Sequence, residues 1–467
     1  MRITAISCCM GLVFALVSCS EKNKTLFSDL DPNDTGIKFR NDLVETNDLN
    51  VLNYIYFYNG GGVAAGDLNN DGLADLVFTG NQTGNKIYIN KGNMSFEDIS
   101  RDAGIEAQDG WSTGVLLVDI NNDGWNDIYV CRSGNLDPDQ RKNLLYLNNR
   151  DNTFTEQAAS YGLDDSGYST HATFFDYDRD GDLDMFLINH SIHYFEVDNE
   201  FARLRYRTDK NFGSKLYQNN DNTFTDVSEE AGITSNFISF GLGVAVGDVN
   251  ADGWPDVYVS NDFKEQDYLY INNRDGTFTN ELEKCMDHIS LFSMGSDMED
   301  VNNDGLPDLL TLDMLPPDNL RLKMTAGAEN FDKFKILHDA GFYWQYMRNM
   351  FHLNNGDGTF SEIGSLAGIG NTDWSWASLF ADFDNDGNKD LFVTNGYVRD
   401  YTNMDFMKFM VDYQTQVSTT GKELPVLELI EKMPSSELTN YIFRNNGDLT
   451  FSPKIEEWGM DKKNISA

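Results

Sequence analysis

A nine-residue pattern, D-x-[DN]-x-D-G-x-x-D, recurs six times, and no other feature of the chain limits its fold so strongly. The copies begin at Asp67, Asp119, Asp176, Asp248, Asp300 and Asp382, at intervals of 52, 57, 72, 52 and 82 residues. Each is followed by a segment of the type LYxNNxDGTF, ending in Phe96, Phe154, Phe224, Phe278, Phe360 and Phe451. From each of the first five phenylalanines to the next motif aspartate is 22 to 24 residues. One half of the repeat therefore has fixed length. Insertions collect in the other half, near 190–213, 313–347 and 396–439. A fixed internal period marks stacked supersecondary units.

The loop chemistry is that of a hard cation. Positions 1, 3, 5 and 9 carry oxygen side chains: Asp67, Asn69, Asp71 and Asp75; Asp119, Asn121, Asp123 and Asp127; Asp176, Asp178, Asp180 and Asp184; Asp248, Asn250, Asp252 and Asp256; Asp300, Asn302, Asp304 and Asp308; Asp382, Asp384, Asp386 and Asp390. Position 7 can add a backbone carbonyl, and glycine at position 6 permits the sharp turn. Carboxylates within about 4 Å repel by roughly 4 kcal/mol per pair at an effective dielectric near 20. Six such gatherings call for divalent counter-charge, so up to six calcium ions are expected. Oxygen-only ligands disfavour zinc and copper. Magnesium is the weaker alternative because it dehydrates reluctantly. The Asp176 and Asp382 copies have four carboxylates each and are expected to bind tightest. The competing reading, plain Asp-Asn-Gly hairpin turns, does not account for six copies in register.

The loops are not EF-hands. Position 12 is Phe78, Val130, Leu187, Val259, Thr311 and Val393, none of them acidic. The flanks are short β-rich runs, which also excludes helical dockerin-type repeats. In the second copy we read strands at Gly114–Val118, Asp127–Cys131, Leu144–Leu147 and Phe154–Gln157. Four-stranded units in series predict an all-β fold, a β-propeller with the acidic loop between strands one and two of each blade. On these motifs, over residues 26–467, the chain resembles the FG-GAP/VCBS repeat family, whose calcium-loop propellers include the integrin α-subunit head. More narrowly, it resembles the N-terminal part of Bacteroidota lipoproteins with VCBS repeats, often carrying a C-terminal ASPIC/UnbV domain. The segment Phe27–Asn53 reads as a stray fourth strand plus connector. A further motif aspartate would fall near position 473 to 475. A seven-bladed parent is one expectation, and a six-bladed ring closed by the N-terminal strand is the other.

Residues 1–18 read as a signal peptide, with Arg2 followed by an apolar run too short to span a membrane. Leu16-Val17-Ser18-Cys19 resembles a lipobox, which makes Cys19 the lipid anchor and residues 19–26 a tether. Ordinary signal cleavage beside a chance cysteine is the alternative. The tether resembles the acidic export signals of Bacteroidota surface lipoproteins, so a lipid-anchored outer-membrane or surface location is expected. The propeller then spans 27–467. Cys131 and Cys285 read as buried apolar residues rather than a bridge.

Charge excludes one class of partner. With 75 acidic and 35 basic residues, the net charge of −40 repels nucleic acid and argues against docking on anionic lipid through a basic face. Aromatic content of 13% is too high for an acidic disordered chain. Eight residues before the motif aspartate stand Trp111, Tyr168, Phe240, Phe292 and Trp374, with Trp376 close by. They read either as an aromatic ligand platform, with Trp111, Trp374 and Trp376 exposed, or as packing between blades. The family likeness implies that ligands bind opposite the calcium loops, where the insertions emerge. A cell-surface binding module for glycan, peptide or protein is expected. A propeller hydrolase or lyase is the alternative, with His190 and His193 at the insertion rim its only candidates. A structural scaffold is the third option. No G-x-S-x-G, P-loop or dinucleotide fingerprint occurs.

Overall fold

The computed structural model describes residues 25–106, 109–193, 201–325 and 331–466. The signal segment and the Cys19 anchor lie outside the described residues. Among the described residues, no helix is long and apolar enough to cross a membrane.

Each repeat folds into one antiparallel four-stranded sheet, and the six sheets form the blades of a propeller. Blade two shows the plan: Trp111–Val118, Asp127–Ser133, Leu144–Asn148 and Phe154–Glu156. Its first strand begins three residues earlier than the periodicity predicts. The extension crosses a register shift between Ser112 and Val115 that alternation alone does not reveal. Blade six uses Ser375–Ala381, Asp390–Asn395, Tyr441–Asn445 and Phe451–Pro453, skipping the helices inserted between its second and third strands.

The second strands of blades two to five are buried on both faces. All seven residues of Asp127–Ser133 are buried, as the unbroken run Ile128-Tyr129-Val130-Cys131 requires of a strand between two neighbours. Cys131 is thus a buried thiol, and Cys285 is free and partly buried. First strands of consecutive blades lie side by side from blade one to blade six. Glycine permits the approach: a Cβ on Gly114 would meet the Thr170 carbonyl oxygen at 2.7 Å.

Short helices link several blades and end in a left-handed glycine at Ser100–Ala103 with Gly104 and Ala158–Tyr161 with Gly162, whereas Leu282–Cys285 ends at the extended Met286. The predicted insertions are helical where their apolar spacing indicates. Met404–Thr420 is a helix capped by the Asn403 side chain, and Val426–Ile430 is a second. They bury Phe406, Ile430 and Met433 over the propeller axis.

Candidate functional site

The acidic loops are built alike. The position-1 carboxylate folds each loop around itself: Asp119 Oδ1 accepts from the Asp123 amide at 2.8 Å, and Oδ2 from Gly124 at 2.8 Å. Position 4 is left-handed in every copy, with φ from 55° to 61° at Asn70, Asn122, Arg179, Ala251, Asn303 and Asn385. Position 6 is a left-handed glycine throughout. Two such residues so close in sequence curl the chain until its oxygens converge.

Position 9 is fully buried in all six copies. Its carboxylate ties the start of the loop to strand three of the blade. Asp256 accepts from the amide of Val249 at 3.0 Å and of Asn272, on strand three, at 2.8 Å. That asparagine is a functional residue the loop pattern missed. Its Nδ2 donates to the Tyr177 carbonyl of the preceding blade at 2.8 Å. Asn148, Asn354 and Asn445 make the same bond to Leu68, Val249 and Val301. The recurring first Asn of LYxNN was the available signal. Loop and blade contact are therefore one mechanical unit.

Electrostatics identify what the loops lack. Burial, with added repulsion from neighbouring aspartates, pushes Asp127, Asp256 and Asp308 up to about 6 and Asp184 to about 7. A carboxylate accepting two backbone N–H bonds ordinarily falls below its free value. Here burial outweighs those bonds, and the neighbouring loop aspartates add to the rise. Two loops bring three carboxylates within 4.8 Å of one another: Asp176, Asp178 and Asp184, and Asp382, Asp384 and Asp390. These are the loops with aspartate at position 3. Both clusters could coordinate a divalent cation such as calcium, and the all-oxygen donor set fits it.

The two differ in one respect. Arg444 pairs with Asp384 and Asp386, each at 2.8 Å. The Asp176 loop instead meets the neutral Gln218 amide, 2.8 Å from Asp178. A guanidinium is a competing counter-ion, so the Asp176 loop is expected to be the tighter site. Arg444→Ala should strengthen binding at the Asp382 loop about threefold, a gain under ~1 kcal/mol at an exposed pair. Isothermal titration of the variant against its parent measures this.

The opposite end of the axis corrects the expectation of exposed rim aromatics. Trp111, Tyr168 and Trp374 are 2%, 8% and 3% exposed, and Trp376 is half-buried. A plug covers them. Residues 49–58, ending in the 3-10 turn Ile55–Tyr58, cross the axis and bury Tyr54, Tyr56 and Phe57. Phe57 packs on Trp111 at 5.2 Å, Tyr56 on Phe240 at 5.8 Å, and Trp374 stacks on Tyr397 at 4.4 Å. Trp376 donates its indole N–H to the Gly396 carbonyl at 2.7 Å. These rings form a packing layer.

His190 belongs to the same layer. Its Nδ1–H donates to the Ser191 carbonyl at 2.9 Å, leaving Nε2 to accept from Ser133 Oγ at 2.8 Å and Tyr54 Oη at 3.3 Å. Burial lowers its pKa to about 4, so the ring is neutral. His193 lies exposed and stacks on Phe237 at 5.0 Å. The two histidines expected to share a rim therefore stand in different surroundings.

Two acids are buried at the same end of the propeller. Asp262 accepts from Tyr56 Oη at 2.9 Å, and Asp267 accepts from Ser293 Oγ at 2.8 Å. Burial pushes both to about 7. The folded state keeps these protons between pH 4 and 7, where the unfolded chain has released them. Their contribution is thus fully present below pH 4 and is lost as pH rises to 7. The double variant Asp262→Asn with Asp267→Asn should show a shallower fall in urea midpoint from pH 4.5 to 7.5 than its parent. At about 1.4 kcal/mol per pKa unit, the difference is large enough to measure.

Residues 67–130, 119–187, 206–259, 248–311 and 342–393 match the FG-GAP-like repeat. The chain belongs to the FG-GAP-like repeat family. Each matched FG-GAP-like span ends in the second strand of one of the blades described above. No curated protein matches the chain. Among solved structures it is similar to the V. cholerae biofilm matrix protein Bap1, at 14% identity and a TM-score of 0.31, over 64% of this chain and 38% of Bap1. It is also similar to an arginine-substituted mutant of AofleA from Arthrobotrys oligospora, at 9% identity and a TM-score of 0.34, over 65% of this chain and 72% of AofleA. The chain thus spans well under half the length of Bap1.

Proposed function

We propose that this FG-GAP-like propeller is a calcium-stabilised binding module, held outside the cell by lipid at Cys19, that takes glycan, peptide or partner protein on its insertion face. One observation carries the reading. All three long insertions join strands two and three, so they emerge together, opposite the acidic loops. Elaborating one rim of a rigid scaffold is how binding surfaces arise. Met404, Met407 and Val411 leave apolar surface on that face, at 44%, 49% and 61% exposure. Beside them a cleft of about 530 Å³ is lined by Tyr58, Arg399, Glu45 and Glu431 among others. An aromatic ring, a planar cation and carboxylates suit a sugar or a peptide backbone.

The test is a glycan and peptide array probed with calcium-loaded protein and with a variant whose helix 404–420 is replaced by a flexible linker. Retention by the parent and loss in the variant is expected. Equal retention by both, or no retention, overturns the proposal. Conversion of a retained polymer, abolished by His193→Ala, would replace it with the hydrolase reading.

A further inference from the structure

The cleft beside Tyr58 is walled by two parts of the chain far apart in sequence. Segment 41–45 forms one side. Residues 398–399, with Leu427 and Glu431 of the blade-six insertion, form the other. The first wall is clamped to blade one. The Gln82 carboxamide takes both backbone groups of Val44, its Oε1 accepting from the amide at 2.6 Å and its Nε2 donating to the carbonyl at 3.2 Å. Asn41 and Asn81 bond twice: Asn41 Nδ2 donates to Asn81 Oδ1 at 2.7 Å, and the Asn81 amide donates to Asn41 Oδ1 at 3.0 Å. An ion pair then joins the two walls, Arg399 Nη2 to Glu45 Oε2 at 2.9 Å. The cleft is thus already assembled, and a ligand would not bear the cost of ordering it.

Its sides are apolar. Val44 is 66% exposed although its backbone is clamped, and Leu43, Val398 and Leu427 continue the surface. Its charged groups are mostly of one sign: Asp42, Glu45 and Glu431 against the single Arg399. Asp42 is answered by Arg40 at 3.0 Å, and Glu431 stands exposed at the rim. Glu45 is different. Its side chain is only 9% exposed. Both Nε and Nη2 of Arg399 donate to Oε2, at 3.2 and 2.9 Å. Among the described residues, Oε1 has no hydrogen-bond partner. A buried carboxylate oxygen without a donor is costly, so the cleft holds an acceptor waiting to be filled.

The same groups narrow the ligand. An anion is disfavoured, because Arg399 is engaged and the acids outnumber it. A stacked sugar needs an open ring face, and Tyr58 is 8% exposed. A guanidinium binds best to both oxygens of one carboxylate, and Glu45 offers a single oxygen. An alkylammonium is a compact donor on an apolar stem, which suits one acceptor between apolar walls.

Resting on the binding-module reading above, we infer that this cleft takes a lysine side chain of a peptide or protein ligand. The stem lies against Val44 and Leu427, and the ammonium is held by Glu45 and Glu431.

Saturation-transfer NMR on the calcium-loaded chain, titrated with Nα-acetyl-lysine amide, tests this. The side-chain methylenes of the probe should receive saturation. Acetylating its ε-amine, which keeps the stem and removes the charge, should weaken binding at least about tenfold. The arginine analogue should bind less tightly than lysine. Glu45→Gln should weaken lysine binding at least about tenfold. Glu431→Gln, on the exposed rim, should weaken it about two- to fivefold with Tm unchanged, and it keeps the test open if the Glu45 variant does not fold. No binding of the lysine probe, equal binding of its acetylated form, tighter binding of arginine, or unaltered affinity in Glu431→Gln overturns the lysine pocket. A chain that retains neutral glycans on the array but ignores the lysine probe would lose the pocket and keep the module reading.

Discussion

Removing calcium with a chelator lowers Tm by at least about 5 °C, and adding calcium back, but not sodium at equal ionic strength, restores it. The size follows from the two four-carboxylate loops. An ion at one hundred times its dissociation constant contributes about 2.7 kcal/mol per site, so two contribute about 5 kcal/mol. Unfolding entropy of about 2.1 cal/mol/K per residue makes each kcal/mol worth roughly 1 °C in a chain of this length. The remaining loops, with three carboxylates, can only add to this. The effect should be global, because Asp184 and its counterparts tie each loop to strand three, whose asparagine in most blades also grips the preceding blade. Scanning calorimetry with and without chelator decides the matter. An unchanged Tm removes the metal from the account.

Trp111→Ala destabilises the protein by roughly 3–5 kcal/mol, the range for truncating a buried Trp. Urea midpoints measure it. The ring is 2% exposed and packs against Phe57 at 5.2 Å and Tyr54 at 5.7 Å. A tryptophan serving as a ligand platform would behave oppositely, with stability kept and binding lost. The same substitution at Trp376, half-buried with its indole N–H on Gly396 and its ring stacked on Tyr397 at 5.8 Å, should cost less.

What the sequence disclosed, and what it hid, follows from range. The acidic loops were legible because each is complete within nine residues, and position 6 must be glycine. The left-handed residue at position 4 was half-visible: asparagine fills it in four copies, while Arg179 and Ala251 break the pattern. Blade architecture followed from the fixed spacing between phenylalanine and the next aspartate. The plug was not legible, because the partners of Tyr54 and Tyr56, Ser133 and Asp262, lie 79 and 206 residues away. Without it, the aromatic residues entering the first strands could be read as rim or, as the sequence favoured, as packing between blades.

That plug also bears on the order in which the molecule assembles. Residues 49–58 leave the ribosome before any blade exists, yet they pack against Phe240, His190, Trp111 and, through the same cluster, Ile430 and Met433. Contacts this distant in sequence are slow to form. The hub can therefore close only after the chain through Met433 has been made, and until then the nascent wheel presents an unsealed aromatic centre to chaperones.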